Sequence, residues 1–155
     1  MTGGLRERWA GQPRWVRGTL AVYLLGFVEG FGAHALDLIS GGIHVYAPFA
    51  PVPLQVFFVS LIVLDPAVVV LLGRVRTAGV PLAGGVIALD ALANWIVNWT
   101  AIRENPVLLL RPVGLLPITL FGLFIIATSV PLRRAMNRVA AECGSGPVRK
   151  GRTYA

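Results

Sequence analysis

The chain has 155 residues, of which 55% are hydrophobic and only 14% are charged, and this composition excludes an ordinary soluble domain. Its single cysteine leaves no pair for an internal disulfide, and because the sequence has no CxxC motif or Cys/His cluster, we expect no metal, no cofactor and no redox chemistry. The formal charge is +7, but the arginines flank apolar runs, so the sequence predicts a membrane protein whose partners are lipids and not nucleic acid.

The predicted elements follow one another with short connections. Residues 1–17 form a basic amphipathic segment, and four apolar runs come after it, at residues 18–40, 53–73, 79–99 and 113–131. Each run is close to the ~20 residues that a helix needs to cross the hydrocarbon core of a bilayer. Residues 133–155 form a basic tail that is expected to be disordered at its end. We therefore predict an all-α fold, an integral membrane four-helix bundle over residues 18–132.

The basic residues are distributed unevenly around these four runs. Twelve of the fourteen precede the first run, join the second to the third, or follow the fourth, and only Arg103 and Arg111 lie in the remaining loops. Lys and Arg accumulate on the cytoplasmic side of membrane proteins. The pattern predicts a multi-pass protein of the plasma membrane with both termini in the cytoplasm. An even number of spans independently requires the two termini to share a side.

The first predicted helix carries ionisable residues in the middle of its apolar run, in the stretch "GFVEGFGAHALD". With about 100° of rotation per residue, Glu29, His34 and Asp37 fall on one arc, and the opposite arc is apolar. Gly26 and Gly30 lie on the polar arc, where small residues let a neighbouring helix approach closely. This arc is therefore expected to face the interior of the bundle.

The third predicted helix has a similar polar edge. Asp90, Asn94 and Asn98 are spaced four residues apart, which places them on one side of a helix. Trp95 lies beside them and is a further candidate for ligand contact, although a tryptophan near the membrane surface also suits an aromatic belt. This edge is expected to face the polar arc of the first helix.

Three carboxylates are predicted at one depth. Counted from the middle of each run, Glu29, Asp65 and Asp90 lie within roughly 3 Å of one plane. Three ionised carboxylates in a low dielectric would repel one another, so at least one should hold a proton, or the group should hold a cation. The other polar residues continue from this plane toward the outer face. The sequence thus predicts a polar column that opens outward.

Our leading interpretation is proton- or cation-linked transport or binding of a small or amphiphilic ligand, with a homodimer expected for transport. Glu29, Asp65 and Asp90 would exchange the proton or cation. His34 and Asp37 would relay protons, and the ligand would also meet Asn94, Asn98 and Trp95. One of Arg103 and Arg111 is expected to pair with Asp37 or Glu104 and so to gate the column.

Two other interpretations remain open at the level of the sequence. The chain could be a membrane enzyme in which a protonated carboxyl acts as general acid on an isoprenoid or another lipid. It could instead be an accessory or assembly subunit whose polar residues only fix helix packing. In the loop after the first helix, His44 and Tyr46 are predicted to pack within the loop and not to contact a ligand.

Overall fold

The computed structural model describes residues 4–111 and 114–144, and every regular element in these ranges is helical. The elements are α1 (Leu5–Ala10), α2 (Arg14–Gly41), α3 (Val52–Gly73), α4 (Gly79–Glu104) and α5 (Leu115–Gly144), with 3-10 turns at Gly42–His44 and Pro106–Leu110. Helices α2 to α5 are each long and apolar enough to cross a membrane. The all-α prediction with four membrane-length helices is confirmed. The predicted disorder after residue 144 lies outside the described residues.

The long helices extend beyond the apolar runs that predicted them. Helix α2 begins at Arg14, immediately after Pro13, α4 continues to Glu104, and α5 continues to Gly144. The added turns contain residues such as Arg, Ala, Met and Glu, which are good helix formers although they are not all apolar. An apolar run predicts the hydrocarbon-spanning part of a helix, and the helix itself ends where a breaker or cap occurs. For α2 that residue is Gly42, whose φ of 67° favours glycine.

The four long helices pack in sequence order, with α2 against α3, α3 against α4 and α4 against α5, and α5 then packs against α2. We call the end that holds the start of α2, the α3–α4 loop and the end of α5 the basic end. The other end, which holds the loops after α2 and α4, is the opposite end. At the basic end, the indole Nε1 of Trp9 donates a 2.7 Å hydrogen bond to the carbonyl of Gly73, which attaches α1 to α3.

Helices α2 and α5 contact each other in the half of the bundle nearer the basic end. The Tyr23 hydroxyl donates a 2.8 Å hydrogen bond to the carbonyl of Ile125. One step further, the rings of Phe27 and Phe121 pack edge to face with centroids 5.8 Å apart. Gly26 lies directly against the Phe121 ring, which a methyl group at this position would overlap. Beyond these aromatic contacts a cleft separates α2 from α5.

Candidate functional site

The cleft between α2 and α5 has a volume of about 620 Å³. Its back wall is formed by α4, and α3 contributes Asp65. Of the ten site residues that the sequence predicts, eight line this one cleft: Glu29, His34, Asp37, Asp65, Asp90, Asn94, Asn98 and Arg111. The fold therefore brings together polar residues that are separated by up to about eighty positions in the chain.

The cleft is divided into an apolar floor and a polar upper part. The floor, toward the basic end, is formed by Phe27 and Phe121 together with Ile87 of α4. The polar residues lie above it, toward the opposite end. Pockets that bind drug-sized ligands have volumes of ~300–1,000 Å³ and combine an apolar lining with a few polar groups. The cleft has the size and the division of surface that suit an organic ligand with one polar end.

Asp65 is the most deeply buried carboxyl of the site. The residue is 4% exposed, and among the described residues no hydrogen-bond donor contacts its carboxyl. It reaches across from α3 to α2 at Gly30, where an added methyl group would lie 3.2 Å from Asp65 Oδ2. A carboxyl group held only for structural reasons is normally hydrogen-bonded when it is buried. Asp65 is instead free to accept a proton or a ligand from the cleft.

The second carboxyl, Asp90, is held by its own helix. The side-chain Nδ2 of Asn94 donates to Asp90 Oδ1 and to the Asp90 carbonyl, both at 3.0 Å. One turn further, Asn98 Nδ2 donates to the Asn94 carbonyl at 2.9 Å. Asp90 lines the same cleft as Asp65. The two aspartates thus form the inner acidic pair of the cleft.

Glu29 lines the same cleft but is more exposed than the two aspartates. It lies on α2, one residue before Gly30, the residue that Asp65 approaches. Among the described residues it has no hydrogen-bond partner. The three carboxyls that were predicted at one depth are therefore found around one cavity, with Glu29 at its edge and the aspartate pair inside.

His34 and Asp37 are connected through a residue that the sequence analysis did not assign to the site. The Nδ1 atom of His34 lies 3.0 Å from the Tyr46 hydroxyl, which donates to Asp37 Oδ2 at 3.2 Å. A hydroxyl has one proton, so when Tyr46 donates it to Asp37, its oxygen accepts the Nδ1 proton of His34. This chain leaves Nε2 of a neutral His34 as a hydrogen-bond acceptor.

Tyr46 comes from the loop between α2 and α3 and is only 4% exposed. Its ring packs against Phe58 of α3 at a centroid distance of 5.1 Å, and the His34 ring stacks on the same Phe58 at 6.2 Å. Burial raises the pKa of the Tyr46 hydroxyl above its usual value, and the Asp37 carboxylate raises it further. The hydroxyl therefore keeps its proton and remains a donor to Asp37.

The sequence offered one signal for Tyr46. The pair Gly41-Gly42 ends α2 and lets the following loop turn back over the helix. Tyr46 follows these glycines by four residues. In such a short loop, its side chain can reach back to the polar arc of α2. Tyr46 was predicted to pack within the loop, and it does contact Phe49 there, but its ring also packs on Phe58 of α3 and its hydroxyl bonds residues of α2. These contacts depend on the path of the loop, which a pattern of residue types does not contain.

Two predicted site residues lie outside the cleft. The Trp95 indole donates a 3.0 Å hydrogen bond to Thr119 and so joins α4 to α5. Arg103 lines a separate depression with Thr100 and Glu104. Arg111 does line the cleft, near its opposite-end mouth.

The predicted arginine gate has no direct contact in the described part of the chain. No ion pair of 4.0 Å or less joins Arg103 or Arg111 to Asp37 or Glu104. Arg111 is exposed and shares the cleft lining with Asp37. A gating role for Arg111 stays a prediction. Arg103 lies outside the cleft, so it does not line the opening that a gate would close.

The cleft has to be interpreted from its own chemistry. No protein-family model, curated protein or solved structure matches the chain. Within residues 4–111 and 114–144, no group of three His, Cys, Asp or Glu side chains is arranged to hold a metal ion. What the cleft offers is an inner pair of carboxyls, an oriented histidine and an apolar floor.

Proposed function

We propose that this chain is a membrane protein that binds a small or amphiphilic cation in the cleft and exchanges it for protons, in transport or in ligand binding. The observation that carries the proposal is Asp65, a residue that is 4% exposed, lines the cleft and has no hydrogen-bond donor for its carboxyl among the described residues. An ionised carboxylate in this position requires a counter-ion, because burial of an unpaired charge is costly. A proton and a cationic ligand can each satisfy it, and they compete.

Charge and volume support an organic cation. Four carboxyl groups line the cleft against one guanidinium, that of Arg111. A bare proton or metal ion would need only a small fraction of about 620 Å³. The remaining volume borders the apolar floor, where an apolar part of the ligand would be buried favourably.

The membrane setting belongs to the same proposal. The basic end would lie in the cytoplasm, because positive residues accumulate there. The polar part of the cleft would then open toward the outer side of the plasma membrane. Four helices enclose little space, so transport would involve a homodimer, in which two clefts could open alternately.

The proposal can be tested with the purified full chain in lipid nanodiscs. Octylammonium should bind, and octanoate, which has the opposite charge and a similar tail, should not. Binding of the cation should release protons into a weakly buffered solution, because the cation displaces a proton from the carboxyls. Isothermal titration calorimetry measures binding, and a pH indicator measures proton release.

Asp65→Asn should abolish the proton release, since a side-chain amide does not ionise and so has no proton to give up when the cation binds. Glu104→Gln is the matched control, because it removes an exposed carboxylate that lies outside the cleft. Equal binding of octanoate and octylammonium, or unchanged proton release by Asp65→Asn, contradicts the proposal.

An enzyme remains the second candidate, because a buried carboxyl beside an apolar floor also suits general-acid catalysis on an isoprenoid or lipid substrate. It differs in its readout, since an enzyme converts a lipid into a product that mass spectrometry detects. A purely structural subunit is less well supported, because Asp65 contributes no hydrogen bond to helix packing among the described residues.

A further inference from the structure

Most hydrogen-bond donors in and around the polar part of the cleft are already bonded to other groups of the protein. The Asn94 amide nitrogen donates to Asp90 twice, to the carboxyl and to the backbone carbonyl, both at 3.0 Å. Asn98 gives one of its two N–H groups to the Asn94 carbonyl. The Tyr46 hydroxyl gives its single proton to Asp37. These side chains therefore offer few donors to a ligand.

The acceptors of the same region are left unused. The side-chain carbonyl of Asn94 accepts no hydrogen bond within the described residues, and neither carboxyl oxygen of Asp65 accepts one. His34 adds a further acceptor, Nε2, because Tyr46 holds the ring proton at Nδ1. Among the described side chains that line the cleft, the free donors are one N–H of Asn98 and the guanidinium of Arg111, which lie toward the opposite-end mouth. The inner site thus presents acceptors almost exclusively.

From this inventory we infer that the ligand's head group is a cation with several N–H donors, a primary ammonium or a guanidinium, attached to an apolar tail. The inference rests on the proposed cation-binding function and specifies the class of cation. A head group that enters the polar part of the cleft, which Asp65, Asn94 and His34 line, removes water from their acceptors. Each acceptor that loses water without receiving an N–H group weakens binding. A head group without N–H groups is therefore disfavoured.

A quaternary ammonium is the relevant alternative, since it has the charge but no N–H group. Proteins recognise it with aromatic faces arranged around the cation. The two phenylalanines of this cleft, Phe27 and Phe121, pack edge to face against each other and form the floor. They are placed to contact an apolar tail, and the acidic pair above them is placed to contact the head group.

The tail also has a lateral path along α2. Val22 and Leu25 line the cleft and are 44% and 71% exposed. In a bilayer these side chains would border the acyl chains, so an apolar tail would meet a continuous apolar surface from the lipid to the floor. The acidic cluster alone would not specify an organic ligand. The unpartnered and buried Asp65 and the adjoining apolar surface together do so.

The test compares three cations that share one tail: octylammonium, octylguanidinium and octyltrimethylammonium. Isothermal titration calorimetry is carried out on the full chain in phosphatidylcholine nanodiscs, and empty nanodiscs correct for partition into lipid. We expect octylammonium and octylguanidinium to bind at least about tenfold more tightly than octyltrimethylammonium, the factor that corresponds to ~1.4 kcal/mol. The trimethylammonium compound keeps the charge and the tail, so the difference reports the N–H groups.

Tyr46→Phe separates a specificity role of Tyr46 from a structural one. Without the hydroxyl, the His34 ring proton can move to Nε2 and present a donor to the cleft. The preference for octylammonium over octyltrimethylammonium should then fall severalfold, whereas octyltrimethylammonium affinity should change little. If this variant does not fold, the selectivity of the unaltered chain still decides.

The outcomes distinguish the inference from the function on which it rests. Equal affinities for the three cations overturn the N–H inference and leave cation binding in place. A preference for octanoate over every cation overturns both. Tighter binding of octyltrimethylammonium than of octylammonium overturns the inference by showing that the site selects charge and bulk without hydrogen bonding.

Discussion

The Nδ1 atom of His34 lies 3.0 Å from the hydroxyl oxygen of Tyr46, and this contact fastens the loop after α2 onto the polar arc of that helix. It has two consequences. It holds the loop against α2 and α3, because Tyr46 is buried against Phe58 at the same time. It also orients the imidazole, because the tyrosine proton is directed to Asp37.

Tyr46→Phe should therefore lower the stability of the fold only slightly and should change the tautomer of His34. The phenyl ring keeps its packing, and the lost hydrogen bonds should lower the free energy of unfolding by ~1 kcal/mol. Nitrogen-15 spectra of the His34 ring should change from one neutral tautomer to a mixture. His44, which is exposed in the same loop, serves as the internal control and should not change. An unchanged His34 tautomer would show that Tyr46 does not set it.

The closeness of α2 and α5 depends on Gly26, which lies against the Phe121 ring. Gly26→Ala should lower the free energy of unfolding by ~1–3 kcal/mol, because the methyl group forces the ring or the helix to move. Gly32→Ala is the matched control on the same helix, since no other group lies within 4 Å of its added carbon. It should be neutral or slightly stabilising, because alanine is the better helix former. Thermal unfolding in detergent measures both, and equal effects would contradict the close packing.

Part of this architecture could be predicted from residue patterns, because it follows from periodicity and length. The run lengths predicted four membrane-length helices. The helical period predicted that Glu29, His34 and Asp37 share a face, and this face does line the cleft. Trp95 shows the limit of the method. It neighbours the polar edge of α4, but its indole is directed to Thr119 of α5, and only the packing of the two helices determines that.

The two glycines of the predicted close-approach motif show the same limit. Their spacing predicted contact with a neighbouring helix, and both have such a contact. They serve different partners, because Gly26 accommodates Phe121 of α5 and Gly30 accommodates Asp65 of α3. The pattern could not predict this, since the two positions are rotated by about 40° around the helix axis and neighbours lie on both sides. The cleft exists because the bulky contact at Phe121 is followed by no comparable contact further along α2 and α5.

The proposed topology can be tested by cysteine labelling, because the chain contains a single cysteine. In a Cys143→Ser background, Ala47→Cys and Ala78→Cys place one thiol in the loop at each end of the bundle, at exposed positions. A membrane-impermeant maleimide added to intact cells should label the first thiol, and should label the second only after permeabilisation. The expectation rests on the positive charge near Ala78. Labelling of Ala78→Cys in intact cells would place the basic end outside.

The final prediction separates a functional acidic site from a structural one through Asp90 and Glu29. Asp90→Asn keeps the side-chain oxygen that accepts the 3.0 Å hydrogen bond from Asn94, and Glu29→Gln removes only a charge at the cleft edge. Both should leave thermal unfolding in detergent nearly unchanged and should reduce proton release on octylammonium binding without abolishing it, because each removes one titratable carboxyl from the cleft while Asp65 remains.

Alanine at the same positions gives the contrasting case. Asp90→Ala leaves the Asn94 amide without its carboxyl partner and should lower the free energy of unfolding by ~1 kcal/mol or more. Glu29→Ala should have little effect on stability, because Glu29 is exposed and has no hydrogen-bond partner among the described residues. A purely structural cluster would show the stability loss in Asp90→Ala together with unchanged proton release in Asp90→Asn and Glu29→Gln. That combination would remove the exchange mechanism, because the carboxyl protons would then have no part in binding.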